Sequence, residues 1–475
     1  MKSTSLISSP VSRREFLRGG AAGFGMLAFA GLQGLARDSE ARIAMGGPGQ
    51  PHFAPRARRV IFLCMRGGPS HLDSFDYKPD LIANAGKASR YAGSILSPSH
   101  WEFRQHGESG LWISDLFPEI AAQADDLCLL RGMHCDQPSH AQAFVQMHTG
   151  SFQFVRPSMG AWTLYGLGSE NANLPGYISL NPPSALGGAR NYGNAFLPAA
   201  FQGTRFSIED SSQRNRAIDR RRRGEVNPDG INHVRNEYLS RAQQRVQLDL
   251  VQRWNAAQLE RETHAPLIEG AIESLELAFR MQDSVPELMN LESESEETKA
   301  LYGIGSDPTD GFGRQCLLAR RFAEAGVRFI ELGHGSWDQH NRLKESLGTN
   351  AAETDRPIAG LLADLKRRDL LKDTLVIWGG EFGRSPHSPD GNGRDHNHRG
   401  YTMWMAGGGV KGGFSYGATD AFGYEAVEGK MHLHDWHATV LHLLGLDHER
   451  LTFRHAGRDM RLTEVSGSVA TEIIA

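Results

Sequence analysis

Five short, strand-like runs rich in apolar residues punctuate the chain, and each stops at glycine or at charge. Residues 60–65 end at Arg66-Gly67-Gly68-Pro69, and residues 127–130 end at Arg131-Gly132. Residues 327–332 follow a helical stretch, 315–325, that stops at Gly326, and residues 374–378 follow another, 358–370. Residues 403–406 end at Gly407-Gly408-Gly409. Runs of this kind suit strands buried on both faces of a parallel sheet. Their alternation with helices predicts an α/β domain with a mostly parallel central sheet. Ligands of such sheets gather at the carboxyl ends of the strands.

The pattern changes in the middle and at the start. Residues 205–300 are polar and rich in Arg, Gln and Glu; residues 236–262 and 271–281 have helical character, which predicts a mostly helical insertion. The run Arg220-Arg221-Arg222-Arg223 inside it reads as a solvated loop flanked by Glu209, Asp210, Asp219 and Glu225, or as a grip for an anionic polymer. At the N-terminus, Arg13-Arg14 and Phe16-Leu17 precede an uncharged, Gly/Ala-rich stretch, 19–36. This pattern predicts a twin-arginine export signal over residues 1–36, with Gly34-Leu35-Ala36 as a small-residue cleavage site and an extracytoplasmic, periplasmic destination. An uncleaved signal acting as a membrane tether stays open. Residues 37–58, with Gly46-Gly47-Pro48-Gly49, read as a linker, and the folded domain is expected over residues 59–470. The twin-arginine route carries folded proteins, so a metal can be loaded before export.

Composition narrows the chemistry. The 475 residues hold 51 Lys+Arg against 55 Asp+Glu, a net charge of −4, so the basic excess of a nucleic-acid binder is missing. Glycine numbers 54, which points to many tight loops rather than a helical bundle. Cys64, Cys128, Cys135 and Cys316 contain no C-x-x-C pair, which argues against a cysteine zinc finger and leaves buried thiols or one bridge. Of 20 histidines, 11 lie between His334 and His455.

Polar clusters follow the apolar runs. Gly67-Gly68-Pro69-Ser70-His71-Leu72-Asp73-Ser74-Phe75-Asp76 follows the first; His334-Gly335-Ser336-Trp337-Asp338-Gln339-His340-Asn341 follows the run at 327–332. Gly380-Glu381-Phe382-Gly383-Arg384-Ser385 follows the run at 374–378, and Gly393-Arg394-Asp395-His396-Asn397-His398 precedes the last run. Four carboxylate-bearing loops at one sheet edge would repel one another without a cation, and divalent metals take carboxylate and imidazole donors from several loops at once. Taken singly, each piece has a plainer reading: Asp338 and His340 as turn residues, Asp73 and Asp76 as caps, Glu381 and Arg384 as an ion pair. His432-Leu433-His434-Asp435-Trp436-His437 invites a metal reading too, but the apolar run at 438–446 favours a capped helix start with Asp435 near the N-cap. There is no phosphate-binding G-x-x-x-x-G-K-[ST] loop, no H-E-x-x-H and no G-x-S-x-G elbow.

Together with the twin-arginine leader, the motifs Gly67 to Pro79, Gly335-Ser336-Trp337-Asp338-Gln339-His340, Gly380-Glu381-Phe382-Gly383-Arg384-Ser385-Pro386 and Gly393-Arg394-Asp395-His396 resemble the DUF1501 family. That family is similar in fold to sulfatases and alkaline phosphatases. The resemblance implies a three-layer αβα sandwich with one or two metals at the strand ends, acting on sulfate or phosphate esters. It implies Asp73 as the first-strand ligand, Asp338 and His340 as later ligands, Glu381 in place of a usual Asp, and His396 or His398 at the last position; Asp395, in the same glycine-flanked loop, is a further metal candidate from the residues themselves. Phe382 replaces the His expected beside Glu381. The sulfatase nucleophile stands nine residues before a Thr-Gly pair; here Thr149-Gly150 puts His140 at that place (149 − 9 = 140), neither hydroxyl nor thiol. Ser139 is one residue out of register.

The expectation is thus an exported hydrolase of small-molecule or polysaccharide esters, dependent on a divalent metal (Zn, Ca or Mg), with His140 and Arg384 as candidate catalytic residues. The rival is a non-catalytic metal- or glycan-binding envelope protein on the same fold. One consequence is testable without purified protein: Arg13→Lys with Arg14→Lys should hold the precursor in the cytoplasm, as read by fractionation and immunoblot, and normal export of that double variant would refute the signal.

Overall fold

The computed structural model describes residues 49–208, 238–259, 261 and 266–475. The expected export signal (1–36), most of the expected linker and Arg220 to Arg223 lie outside the described residues. The central sheet is built from β1 (Arg59–Met65), β2 (Leu127–His134), β3 (Tyr177–Leu180), β4 (Thr204–Phe206), β5 (Phe329–His334), β6 (Thr374–Gly379), β7 (Tyr401–Ala406), β8 (Phe414–Tyr416) and β9 (Met431–His432). The larger helices are α1 (His140–Thr149), α2 (Met159–Leu167), α3 (Arg241–Leu259), α4 (Pro266–Met289), α5 (Asp310–Glu324), α6 (Leu343–Arg367) and α7 (Leu433–Leu443).

The strand order is β8-β2-β7-β6-β1-β5-β3-β4, with β9 adding to β2. β1 lies between β6 and β5, parallel to both, and all seven of its residues are buried. Its side chains alternate between two cores. Ile61, Leu63 and Met65 join residues of α5 and α6 on one face; Val60, Phe62 and Cys64 join residues of α1, α2 and α7 on the other. This is a three-layer α/β sandwich, and it explains why β1 reads as an unbroken apolar run: a strand covered on both sides has no polar face.

The five predicted runs form the contiguous middle of the sheet, β2-β7-β6-β1-β5. The edge strands β3, β4, β8 and β9 are only two to four residues long, too short for a periodic signal. β2 also continues through Arg131 and Gly132, where the sequence suggested a stop, to His134.

β7 alone runs against its neighbours, antiparallel to both β6 and β2. The reversal matters for the site. The other central strands deliver their following loops to one edge, and a reversed strand brings its preceding loop, residues 393–400, to that same edge.

Within the polar middle, α3 and α4 pack through Leu248, Leu275 and Phe279. β4 occupies the first residues assigned to the insertion. All four cysteines are buried free thiols. α7 begins at Leu433 with His432 as its N-cap, and Asp435, at the third helical position, accepts the His432 N–H at 2.8 Å in a capping box, the capped helix start expected there. No helix among the described residues is long and apolar enough to cross a membrane.

Aromatic packing carries the core up to the functional edge. Trp378 on β6 stacks on Trp404 with ring centres 6.1 Å apart and meets Trp337 edge-on at 6.3 Å. Trp337 directly precedes Asp338. Trp378→Ala should therefore cost about 3–5 kcal/mol of stability, the usual penalty for emptying an aromatic site in a core, read by urea unfolding.

Candidate metal centre

The loop after β1 turns on Gly67, whose φ is +115° and whose missing Cβ leaves room for the Asp338 backbone N at 2.8 Å. Only glycine fits both conditions, and the contact brings the β1 and β5 loops together. Gly393 works the same way by close approach: a Cβ there would lie 1.9 Å from the His340 carbonyl oxygen.

Two buried arginines fasten these loops. Arg384 donates to the carbonyl oxygens of Gly67, Gly68, Trp337 and Arg394, and its Nη2 donates to Asp338 Oδ1 at 2.6 Å. Its side chain is fully buried, each of its nitrogens donates to the protein, and it positions Asp338. Arg394 grips Asp73 with Nε to Oδ2 at 2.7 Å and Nη2 to Oδ1 at 3.2 Å, and both residues are fully buried. Ser70 also donates to Asp73 Oδ2. With both oxygens engaged, Asp73 is a structural counter-ion and stands apart from the ligand cluster in which the sequence placed it.

The cluster itself converges on one atom. Asp338 Oδ1 lies 3.2 Å from His140 Nε2, 3.1 Å from His340 Nε2 and 3.4 Å from His396 Nε2. Each imidazole is held from behind by its other nitrogen. His140 Nδ1 is 2.6 Å from Glu381 Oε1, His340 Nδ1 is 3.2 Å from Asp395 Oδ1, and His396 Nδ1 is 2.7 Å from the Pro138 carbonyl oxygen. Carbonyls and carboxylates only accept, so every Nδ1 carries the hydrogen and every Nε2 points inward. Histidines that bind metals are held in this way. His140 Nε2 is buried and makes no aligned hydrogen bond despite its proximity to Asp338. His140, Asp338 and His396 offer donor atoms within 4.8 Å of one another, a spacing a metal ion can close.

Electrostatics follow from these contacts. Burial pushes the Asp338 carboxyl up, but Arg384, His140 and His340 outweigh it and hold it at about 2. Burial pulls His140 down, and Glu381 with Asp338 more than offsets this, leaving it raised. His396 is lowered by burial and by the charges of Arg384 and His140.

The candidate residues therefore divide. His140, the first residue of α1, meets Asp338, His340 and His396 at the edge. Glu381 is fully buried, accepts the Gly67 N–H at 3.1 Å, and backs His140 rather than facing the centre. Asp395 backs His340 at the rim. His398 stands apart, beside His134 and Asp136 in a neighbouring cleft, and only its carbonyl is engaged, by the Cys135 N–H. Phe382, at the position where an imidazole was expected, packs against His140 and His396, 4.7 Å from each ring, and the two imidazoles meet edge-on at 4.2 Å. The sequence assigned no role to Arg394 or Pro138, although Arg394 sits inside a quoted motif. A buried arginine flanked by glycine and aspartate was the available signal; a backbone carbonyl leaves none.

The family model described as "Protein of unknown function (DUF1501)" matches residues 57–474, and the chain belongs to that family. No curated protein matches the sequence. Among solved structures, a sulfatase, PsFucS1, from Pseudoalteromonas sp. is similar at 12% identity, over 95% of this chain and 75% of that one, with a TM-score of 0.35. The lipoteichoic acid synthase LtaP from Listeria monocytogenes is similar at 7% identity, over 86% and 76%, with a TM-score of 0.39. A phosphonate monoester hydrolase from Silicibacter pomeroyi is similar at 12% identity, over 82% and 73%, with a TM-score of 0.29.

The division of the two aspartates gives a direct test. Asp73→Asn should leave metal content unchanged and destabilise the fold by about 3–5 kcal/mol, because it strands a buried guanidinium. Arg394 outweighs burial and holds the Asp73 carboxyl below its ordinary value of 3.8, so the stability this pair confers is full at neutral pH and is lost as the pH falls below that value. Asp338→Asn should lose metal as well as stability, because it takes the carboxylate from the buried Arg384 guanidinium. Elemental analysis and urea unfolding of both variants read the difference.

Proposed function

We propose that the protein is an exported, metal-dependent hydrolase of sulfate or phosphate esters. The observation that carries this reading is the convergence of three inward-facing Nε2 atoms on Asp338 Oδ1, one of them orphaned and buried. Ligand atoms at this spacing can close on one cation. An imidazole-rich donor set suits zinc, whereas calcium and magnesium take oxygen ligands. His140, Asp338 and His396 would hold the ion. When bound, it supplies Lewis acidity to an ester oxygen and lowers the pKa of a water.

The protein's own groups supply the rest. Ser139 is the N-cap of α1 but its hydroxyl caps no backbone N–H, so the helix presents unsatisfied donors beside the centre, a favourable place for an anionic ester. His340 has a side chain 44% exposed, lies at the rim and is oriented by Asp395, which suits it to exchange a proton with the leaving oxygen. This assigns His140 to the metal and the proton-transfer role to His340. The open rim accommodates a polysaccharide ester as readily as a small one.

No serine, threonine or cysteine belongs to the cluster. Cys135 lies behind it, its thiol buried, pushed up to about 12 mainly by that burial, and donating to the Glu381 carbonyl oxygen at 3.3 Å. Direct attack by water is the corresponding route. The same lack of a side-chain nucleophile also favours a second reading, a non-catalytic binder of metal or anionic glycan. The twin-arginine pattern places either protein in the periplasm, tethered to the membrane if the signal stays uncleaved.

Turnover of aryl sulfate and aryl phosphate by zinc-loaded protein separates the readings. The hydrolase reading expects activity on one of them, its loss with the metal in Asp338→Ala, and a fall of about 10²–10⁴ with metal retained in His340→Ala. Because His140 holds its proton above the ordinary value, zinc uptake near pH 7 should release protons, seen as a buffer-dependent heat in calorimetry. A zinc-loaded wild type inert on both esters selects the binder, and a protein that takes up no metal overturns the hydrolase and the metal-binding readings, leaving glycan binding alone.

A further inference from the structure

A second cluster lies inside the sandwich, beneath the edge. Cys64 on β1, His148 on α1 and Glu331 on β5 are 0%, 4% and 2% exposed, within the core formed by Phe62, Phe144, Tyr177 and Phe329. One donor atom from each lies within 4.8 Å of the other two. We propose that Cys64, His148 and Glu331 form a second, buried site for a single divalent cation of the zinc type, distinct in every residue from the centre at the sheet edge.

The orientation of the donors carries the proposal. His148 Nδ1 is 2.7 Å from the Phe144 carbonyl oxygen, so it bears the hydrogen and turns Nε2 toward Glu331 Oε1 at 3.2 Å. Glu331 Oε2 accepts the Tyr177 hydroxyl hydrogen at 3.0 Å, which leaves Oε1 facing His148 and Cys64. A carbonyl behind the imidazole and a hydroxyl behind the carboxylate are the supports that metal ligands use. Thiolate, imidazole and carboxylate together are a zinc donor set.

Charge balance agrees. Without a cation the thiol keeps its proton, since burial and then the charges of Glu331 and Glu381 raise it well above the ordinary value. Burial pulls the His148 imidazole down, but Glu331 more than offsets this, which favours a further proton on the His148–Glu331 pair. A divalent cation displaces both protons: an S–metal bond replaces S–H, and the His148–Glu331 proton leaves to solvent. The site is neutral before and after, so the exchange adds no net charge to the core. The consequence is mechanical. α1 begins at His140 and carries His148 near its end, so an ion here anchors the helix that presents His140.

The site is closed to solvent, so the ion must enter as the chain folds. The test is therefore full-length protein produced in cobalt-supplemented minimal medium and dialysed against EDTA. One equivalent of cobalt should remain, with a near-ultraviolet thiolate-to-cobalt charge-transfer band that the sulfur-free edge centre cannot produce. Cys64→Ser should lose both; Asp338→Ala should keep both, which separates this site from the proposed hydrolytic centre. His148→Gln is the second variant, with the same expected loss if Cys64→Ser fails to fold. A folded, cobalt-grown wild type without the band, or a band that survives Cys64→Ser, overturns the proposal.

Discussion

One carboxylate oxygen organises the functional edge. Asp338 Oδ1 is shared by the Arg384 guanidinium and three imidazoles, and everything around it keeps that sharing in register. Arg384 ties Asp338 to the loop after β1 and to the loop before β7. Glu381, Asp395 and the Pro138 carbonyl each fix one ring. The centre is thus a set of donors held by a second set of groups that do not face it. That outer set determines geometry: an imidazole free to rotate would present either nitrogen.

Much of this was visible in the residues, for identifiable reasons. β1, β5, β6 and β7 read as strands because they are covered on both faces, and the loops at their ends carried Asp338, His340, Glu381 and His396. What the sequence could not separate was facing from backing. Asp73 and Asp338 are both aspartates in strand-end loops beside an arginine; one is sealed by Arg394 and the other is open, and that difference is set by packing across some 300 residues of chain. Glu381 looked like a ligand for the same reason. His140 was reached only through a spacing taken from related enzymes, since the loop after β2 was hidden by a strand longer than its apolar run.

Phe382 illustrates how substitution within a motif is absorbed. A phenyl ring packed against both His140 and His396, 4.7 Å from each, offers no donor atom, and the two imidazoles meet each other edge-on at 4.2 Å. The position supports the centre by shape and contributes no ligand atom.

The place of β1 in the sheet bears on how the molecule comes to exist. Its pairing begins at Val60 opposite Phe329 on one side and at Arg59 opposite Thr374 on the other. The first strand made therefore has no neighbour until more than half of the chain has been synthesised. Sequence separations of this size belong to slow folding, with an apolar strand waiting unpaired and prone to aggregate in the meantime. Exposure of residues 59–65 during synthesis is therefore a property of the topology rather than of any single residue.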